Sequence, residues 1–153
     1  AEKYGVSFIQ IDSVCGHLVP DLDEEYESML KFLRRDSDCT VLGGVRFKYQ
    51  PVNSGRTLAE DLRIGMGRCD AVVCTGEGTG LATPMDKVEK FKQILGDFPV
   101  IIGAGVTIDM VEACRRNSDG VIVGSWFKDN HRAEYSVNED YVKDFMLRWN
   151  AHT

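Results

Sequence analysis

Gly103-Ala104-Gly105 and Gly124-Ser125 are the residues whose type and spacing point most directly to chemistry. Each cluster follows a short apolar run, Val100-Ile101-Ile102 or Val121-Ile122-Val123, and each stands where a helix is about to start, with Thr107 placed to cap the first. Glycine lets backbone N–H groups approach an oxyanion closely, and helix N-termini favour negative charge. In a (β/α)8 barrel the loops after strands 7 and 8 supply such a phosphate site. The expectation is a barrel-type chain that binds a phosphorylated or otherwise anionic small molecule through Gly103, Ala104, Gly105, Gly124 and Ser125.

A second set of residues falls at the ends of earlier apolar runs: Asp12, Lys48, Thr75 and Glu77. In a barrel such positions open into the active-site mouth. Asp12 and Glu77 have the chemistry of an acid and a base, or of ligands to a divalent cation, and Lys48 can steady an enolate, a carbonyl or a phosphate. The structural readings are that Lys48 is a solvated strand end, Asp12 a turn former and Glu77 a loop residue among glycines. Cys15 and His17 form a C-x-H pair with no third or fourth ligand at metal spacing, so they read as loop residues rather than a metal site. Arg56 is either an anion contact or surface charge, Trp126 either flanks the phosphate loop or packs beneath it, and His131 and His152 read as surface residues.

The elements that must position these residues follow one rhythm, a short strand and then an amphipathic helix, five times over. Strands are expected over 6–12, 40–48, 71–74, 100–102 and 121–123. The helix after Pro20 puts Tyr26, Met29, Leu30 and Leu33 on one face, with acids in its first turns and Arg34-Arg35 at its end. Thr57 and Glu60 form a capping box before Leu58, Leu62 and Met66. Val88, Phe91, Ile94 and Leu95 make the next stripe, and Asn138 caps a last helix with Val142, Phe145, Met146 and Trp149 inward. Alternating strands and helices argue for a parallel sheet with right-handed crossovers. Five units are too few for a closed barrel of about 250 residues. They suit either five-eighths of a TIM-barrel-like (β/α)8 fold or an open doubly wound parallel α/β sheet.

Composition sets the remaining bounds. With 153 residues, 43% of them hydrophobic, one core is expected, and residues 1–153 read as a single domain. A net charge of −6 with no basic cluster argues against nucleic acid as a partner. Cys15, Cys39, Cys69, Cys74 and Cys114 include no C-x-x-C pair and fall mostly in apolar runs, so they read as reduced packing residues of a cytoplasmic protein. No apolar run reaches membrane-spanning length and no signal peptide opens the chain. No cofactor is evident.

Taken in order, Gly5 to Asp12, Asp70 to Gly76 with Thr79-Gly80, Pro99 to Thr107, and Asp119 to Gly124 with Phe127-Lys128 resemble the BtpA family, which is similar to phosphate-binding (β/α)8 barrels. The resemblance covers almost the whole chain and implies that it holds strands four to eight. It further implies a phosphate site, an association with sugar metabolism and, in cyanobacteria, a link to photosystem I accumulation. Asp12 stands where the family usually has Asn, Gly43-Gly44 where it has Ala-Asp, and Lys48-Tyr49 where it has Lys-His. Two functions follow as expectations. One is an isomerase, epimerase or lyase acting on a sugar-phosphate type of metabolite; the other is a non-catalytic ligand-binding or assembly factor. A barrel cut before its fourth strand would expose sheet edges, so a homo-oligomer, or association with a missing N-terminal segment, is also expected.

Overall fold

Backbone hydrogen bonding joins the apolar runs into one sheet in the computed structural model, which describes residues 4–151 and so leaves His152 outside. The strands are β1 (Phe8–Cys15), β2 (Thr40–Val45), β3 (Ala71–Cys74), β4 (Val100–Ile102) and β5 (Gly120–Val121). They lie in sequential order and every neighbouring pair is parallel. A doubly wound sheet reverses its order at a switch point. This sheet is open but has no reversal, so each crossover steps the same way, which is the winding of a barrel wall. Helices α1 (Pro20–Arg34), α2 (Leu58–Met66), α3 (Met85–Leu95) and α4 (Val111–Asn117) make the crossovers, and α5 (Glu139–Asn150) follows β5. Contacts between α2 and α3, α3 and α4, and α4 and α5 line them up as one layer.

Strand alternation sorts side chains between that layer and the opposite, concave face. Val72, Cys74, Val100 and Ile102 pack with Leu62 of α2 and Val88, Phe91 and Leu95 of α3 in the main core. Val73 and Gly103 take the other face: a Cβ on Gly103 would stand 2.4 Å from Cγ1 of Val73. Local signals place the helices well. Thr57 Oγ1 accepts from Glu60 N at 3.3 Å while Glu60 Oε2 accepts from Thr57 N at 2.7 Å, closing the capping box. Asn138 Oδ1 caps α5 by accepting from Asp140 N and Tyr141 N.

Several expectations are corrected: β5 covers Gly120–Val121 rather than 121–123, Thr107 makes no side-chain cap, and Met146 of α5 is exposed. β1 begins at Phe8 and runs past Asp12 to Cys15, with a break in its register against β2 between Ile11 and Cys15. β2 stops at Val45 rather than continuing to Lys48, because Arg46 turns into the left-handed region at φ 48°. On α1, Leu30 is buried and Tyr26 packs against the core as expected, but Met29 and Leu33 are exposed and the carboxylate of Asp23 is turned inward.

Asp23 belongs to a chain of alternating charges that threads the first two strand–helix units. Arg46 Nε donates to Asp61 Oδ2 at 2.8 Å, and Arg56 Nη1 approaches Asp61 Oδ1 at 3.7 Å. Arg56 Nη2 bonds Asp23 Oδ2 at 2.8 Å; Arg68 bonds both Asp23 oxygens and, through Nη2, Glu27 at 2.8 Å. Ser54 adds a hydroxyl to Asp61 at 3.0 Å, and Arg68 Nη1 also donates to the Val14 carbonyl at 3.0 Å. Asp23, Asp61 and Arg68 are all buried. Burial pushes the Asp23 carboxyl up, but the hydrogen bonds from Arg68 and Arg56 outweigh it and hold the group below its ordinary value.

Breaking such a pair strands a buried charge, at a cost of about 3–5 kcal/mol. Arg68→Met is expected to lose stability on that scale in urea unfolding. Because the folded value of Asp23 is depressed, its contribution is present above the ordinary carboxylate pKa of about 4 and is lost as pH falls below it. Acid unfolding of the wild type should therefore weaken that contribution only below about pH 4, and the variant should unfold at higher pH. Equal acid midpoints for the two proteins would refute this account.

Candidate functional site

The concave face of the sheet opens at the C-terminal ends of the strands into a cavity of about 860 Å³. By strand alternation Gln10 and Asp12 of β1 face it, since Ile11 between them packs into the main core. The turn after β2 contributes Phe47, Lys48 and Tyr49, and the loop after β3 contributes Thr79 and Gly80. The loop after β4 contributes Gly103 to Thr107; beyond β5 come Ile122, Gly124, Ser125 and Trp126, and then His131 to Glu134.

Lys48 is held from both ends. Its backbone N–H donates to the hydroxyl of the buried Thr75 at 2.9 Å, and its ammonium donates to Thr79 Oγ1 at 3.2 Å. The ammonium also stands 5.7 Å from the centre of the Phe47 ring and 6.0 Å from that of Tyr49. Tyr49 lies at φ 63°, and its hydroxyl accepts from Thr79 N at 2.7 Å. The turn after β2 is thereby clamped to the loop after β3. On the neighbouring strand β1, Gln10 Nε2 donates to Asp12 Oδ1 at 3.1 Å.

The segment from Lys128 to Asn138 folds back on itself. Lys128 and Val137 form an antiparallel bridge, Asn138 N donates to Phe127 O at 2.7 Å, and Asn138 Nδ2 bonds Asp129 Oδ1 at 2.8 Å. At its turn, Asn130 and His131 are successive left-handed residues at φ 54° and 55°. Asparagine and histidine enter this region more readily than most non-glycine residues, and local contacts hold the turn. His131 N donates to Lys128 O at 2.8 Å, its Nδ1 bonds the Trp126 carbonyl at 2.8 Å, and its ring stacks on Trp126 with 3.8 Å between centres. Tyr141 of α5 closes the other side at 4.6 Å. Next to it, Arg132 pairs with Glu134 and covers the Tyr135 ring.

Most of the residues singled out from sequence meet here: Asp12, Lys48, Gly103, Ala104, Gly105, Gly124 and Ser125 all line the one cavity. Glu77 does not; it is exposed on the loop after β3 and outside the lining. Thr75 is buried and serves Lys48 rather than a ligand. The Gly103 N–H is committed to the Cys74 carbonyl at 2.8 Å and so is not a free donor to an anion. Arg56 is consumed by the buried charge chain. Cys15 is buried against Asp61 and Arg56, with burial and then the Asp61 charge pushing its thiol up to about 11. Burial pushes the Cys69 and Cys74 thiols up to about 12. Among the described residues no group of three His, Cys, Asp or Glu side chains is placed to hold a metal ion, and no helix is long and apolar enough to cross a membrane.

His131 and Arg132 are lining residues that sequence reading assigned to the surface or passed over, and Trp126, considered both as a flank of the glycine loop and as packing, lines the cavity too. The available signal was the position of Trp126 directly after Gly124-Ser125; nothing local tells a cavity-facing histidine from a solvated one.

A one-way-wound parallel sheet with its cavity at the C-terminal strand ends defines an α/β protein of the TIM-barrel-like class. The chain matches the BtpA family over residues 1–151 and belongs to that family. It is similar to an uncharacterized protein of Thermococcus kodakarensis, with 39% identity over 80 residues covering 52% of this chain and 30% of the relative. It is similar over 99% of its length to an uncharacterized protein of Pyrococcus furiosus, at 29% identity and covering 59% of that relative. The tryptophan synthase alpha chain of Streptococcus mutans is 28% identical over 149 residues, 94% of this chain and 56% of that protein. The chain thus spans between about a third and three-fifths of the length of these relatives.

Gly105 is the tightest point of the cavity wall. It sits at φ 66°, and a Cβ there would stand 2.2 Å from the Leu81 carbonyl oxygen and 2.4 Å from Cα of Ala82. Thr83 Oγ1, bonded to Ala104 O at 3.0 Å, pins the same two loops together. Gly105→Ala is therefore expected to lower stability by at least about 1–3 kcal/mol, the cost of overpacking with added backbone strain. A thermal melt matching the wild type would show that the loops part more easily than this packing implies.

Proposed function

We propose that the cavity binds a phosphorylated small metabolite of the sugar-phosphate type and carries out isomerase, epimerase or lyase chemistry on it. The observation that carries this reading is the convergence of Lys48, Asp12 and the loops after β4 and β5 on one concave face, although they are far apart in sequence. Loops after the last two strands of a barrel are the usual place for a phosphate group. Because the Gly103 N–H is already taken by Cys74, the contacts to phosphate fall to Ala104, Gly105, Gly124 and Ser125. Asp12, exposed on the opposite wall, is then the carboxylate that removes or returns a proton next to a carbonyl. The Lys48 ammonium supplies positive charge for the oxyanion that forms. Likeness to a tryptophan synthase alpha chain supports a metabolic rather than a purely structural role. Glu77 has no part in this arrangement.

Lys48 makes its side-chain hydrogen bond at an exposed threonine, so its removal should cost the fold little. Lys48→Met is expected to weaken binding of a phosphorylated sugar in calorimetry by tenfold or more, about 1.4 kcal/mol, with the melting temperature nearly unchanged. Unaltered affinity for every phosphorylated sugar that the wild type binds would sink the proposed role; a large fall in melting temperature would mark Lys48 as structural.

A further inference from the structure

We infer that His131 is a ligand-contacting residue of the cavity, whose Nε2 donates a hydrogen bond to the bound anion when the ring is protonated. The inference rests on the anion-binding reading of the cavity and adds to it the residue that makes binding depend on pH.

The geometry determines which nitrogen is available. A backbone carbonyl can only accept, so the contact between Nδ1 and the Trp126 carbonyl requires a proton on Nδ1. In the neutral ring Nε2 is then the bare nitrogen, and it is the one that takes up a proton. Turning the ring over about Cβ–Cγ would keep its stack on Trp126 but would put a carbon in place of Nδ1, so the bond to the Trp126 carbonyl fixes where each nitrogen lies. Trp126 directly follows Gly124-Ser125 in sequence, so the imidazole is attached to the wall proposed for the anion.

From its own loop come Lys128, whose carbonyl accepts the His131 N–H, the Arg132–Glu134 pair, and Asp129, the latter bonded by Asn138. From α5 comes Tyr141. Across the cavity stand Lys48 and Asp12. Arg132 is paired with Glu134, and Asp129 keeps its charge beside the neutral Asn138 amide, so a proton gained at Nε2 adds positive charge to a wall that already carries both signs.

Inorganic sulfate is the suitable probe because its charge does not change between pH 5.5 and 8, whereas a phosphate monoester titrates near pH 6. The informative variant is His131→Asn. Asparagine tolerates a positive φ, and its amide nitrogen can replace Nδ1 as the donor to Trp126 while Nε2 is removed. Sulfate would be titrated at constant ionic strength and followed by NMR through the amides of Gly124 and Ser125. For the wild type, affinity should rise about tenfold from pH 8 to pH 5.5; for His131→Asn it should change by less than twofold, with a melt lowered only by the lost ring contacts to Trp126 and Tyr141. The ring nitrogens of the free protein at pH 8 should report a protonated Nδ1 and a bare Nε2. If sulfate shifts these amides but the pH dependence is absent, or persists in the variant, the role of His131 is overturned and the anion site stands. If sulfate shifts neither amides nor ring at either pH, the anion-binding reading falls together with it.

Discussion

Two buried carboxylates, Asp23 and Asp61, must each meet cations inside the protein, and the first half of the fold is arranged around that requirement. Their partners come from the turn after β2, the approach to α2 and the turn after α2, so the charge chain joins segments that hydrophobic packing alone would leave free to slide. Arg46 takes up a left-handed backbone to reach Asp61, and this ends β2 early. The residues that follow, Phe47 to Tyr49, are thereby turned onto the concave face, where Lys48 meets the cavity. A pairing on one side of the sheet thus decides what is presented on the other.

The second half of the cavity depends on close approach rather than charge. Gly44 lets the carbonyl of Asp12 lie where a Cβ would come within 2.0 Å, and Gly105 does the same for Leu81 at 2.2 Å. These glycines bring β1 against β2 and the loop after β3 against the loop after β4. The departure from the family pattern at Gly43-Gly44 thus has a packing consequence, since an acidic side chain at Gly44 would displace Asp12. Tyr49, which stands where the family usually has histidine, keeps a polar tie by bonding Thr79. The imidazole of this cavity instead comes from His131, at the far end of the sheet.

Hydrophobic periodicity, caps and glycine placement determined by themselves the α/β class, the five strands, the helix starts at Leu58 and Glu139 and the glycine loops of the cavity. Each of these is a local preference, set by the side chain of a residue and its near neighbours. Membership of the BtpA family was legible for the same reason, being carried by short ordered motifs at strand ends. Only the tertiary structure decided that the strand order runs without reversal, because the same alternation of strands and helices suits both windings. It also decided that α1 turns Asp23 inward in place of Met29 and Leu33, since the compensating Arg56 and Arg68 lie far along the chain and a periodicity argument treats any charge as solvent-facing. For the cavity the division is similar: Asp12 and Lys48 were legible as candidates, although Asp12 lies within β1 and Lys48 beyond β2, and Glu77 was equally legible yet lies outside the lining. His131 could not be distinguished in sequence from a solvated histidine, because its role comes from a folded-back loop, a carbonyl at Trp126 and a ring from α5, which only the folded chain brings together.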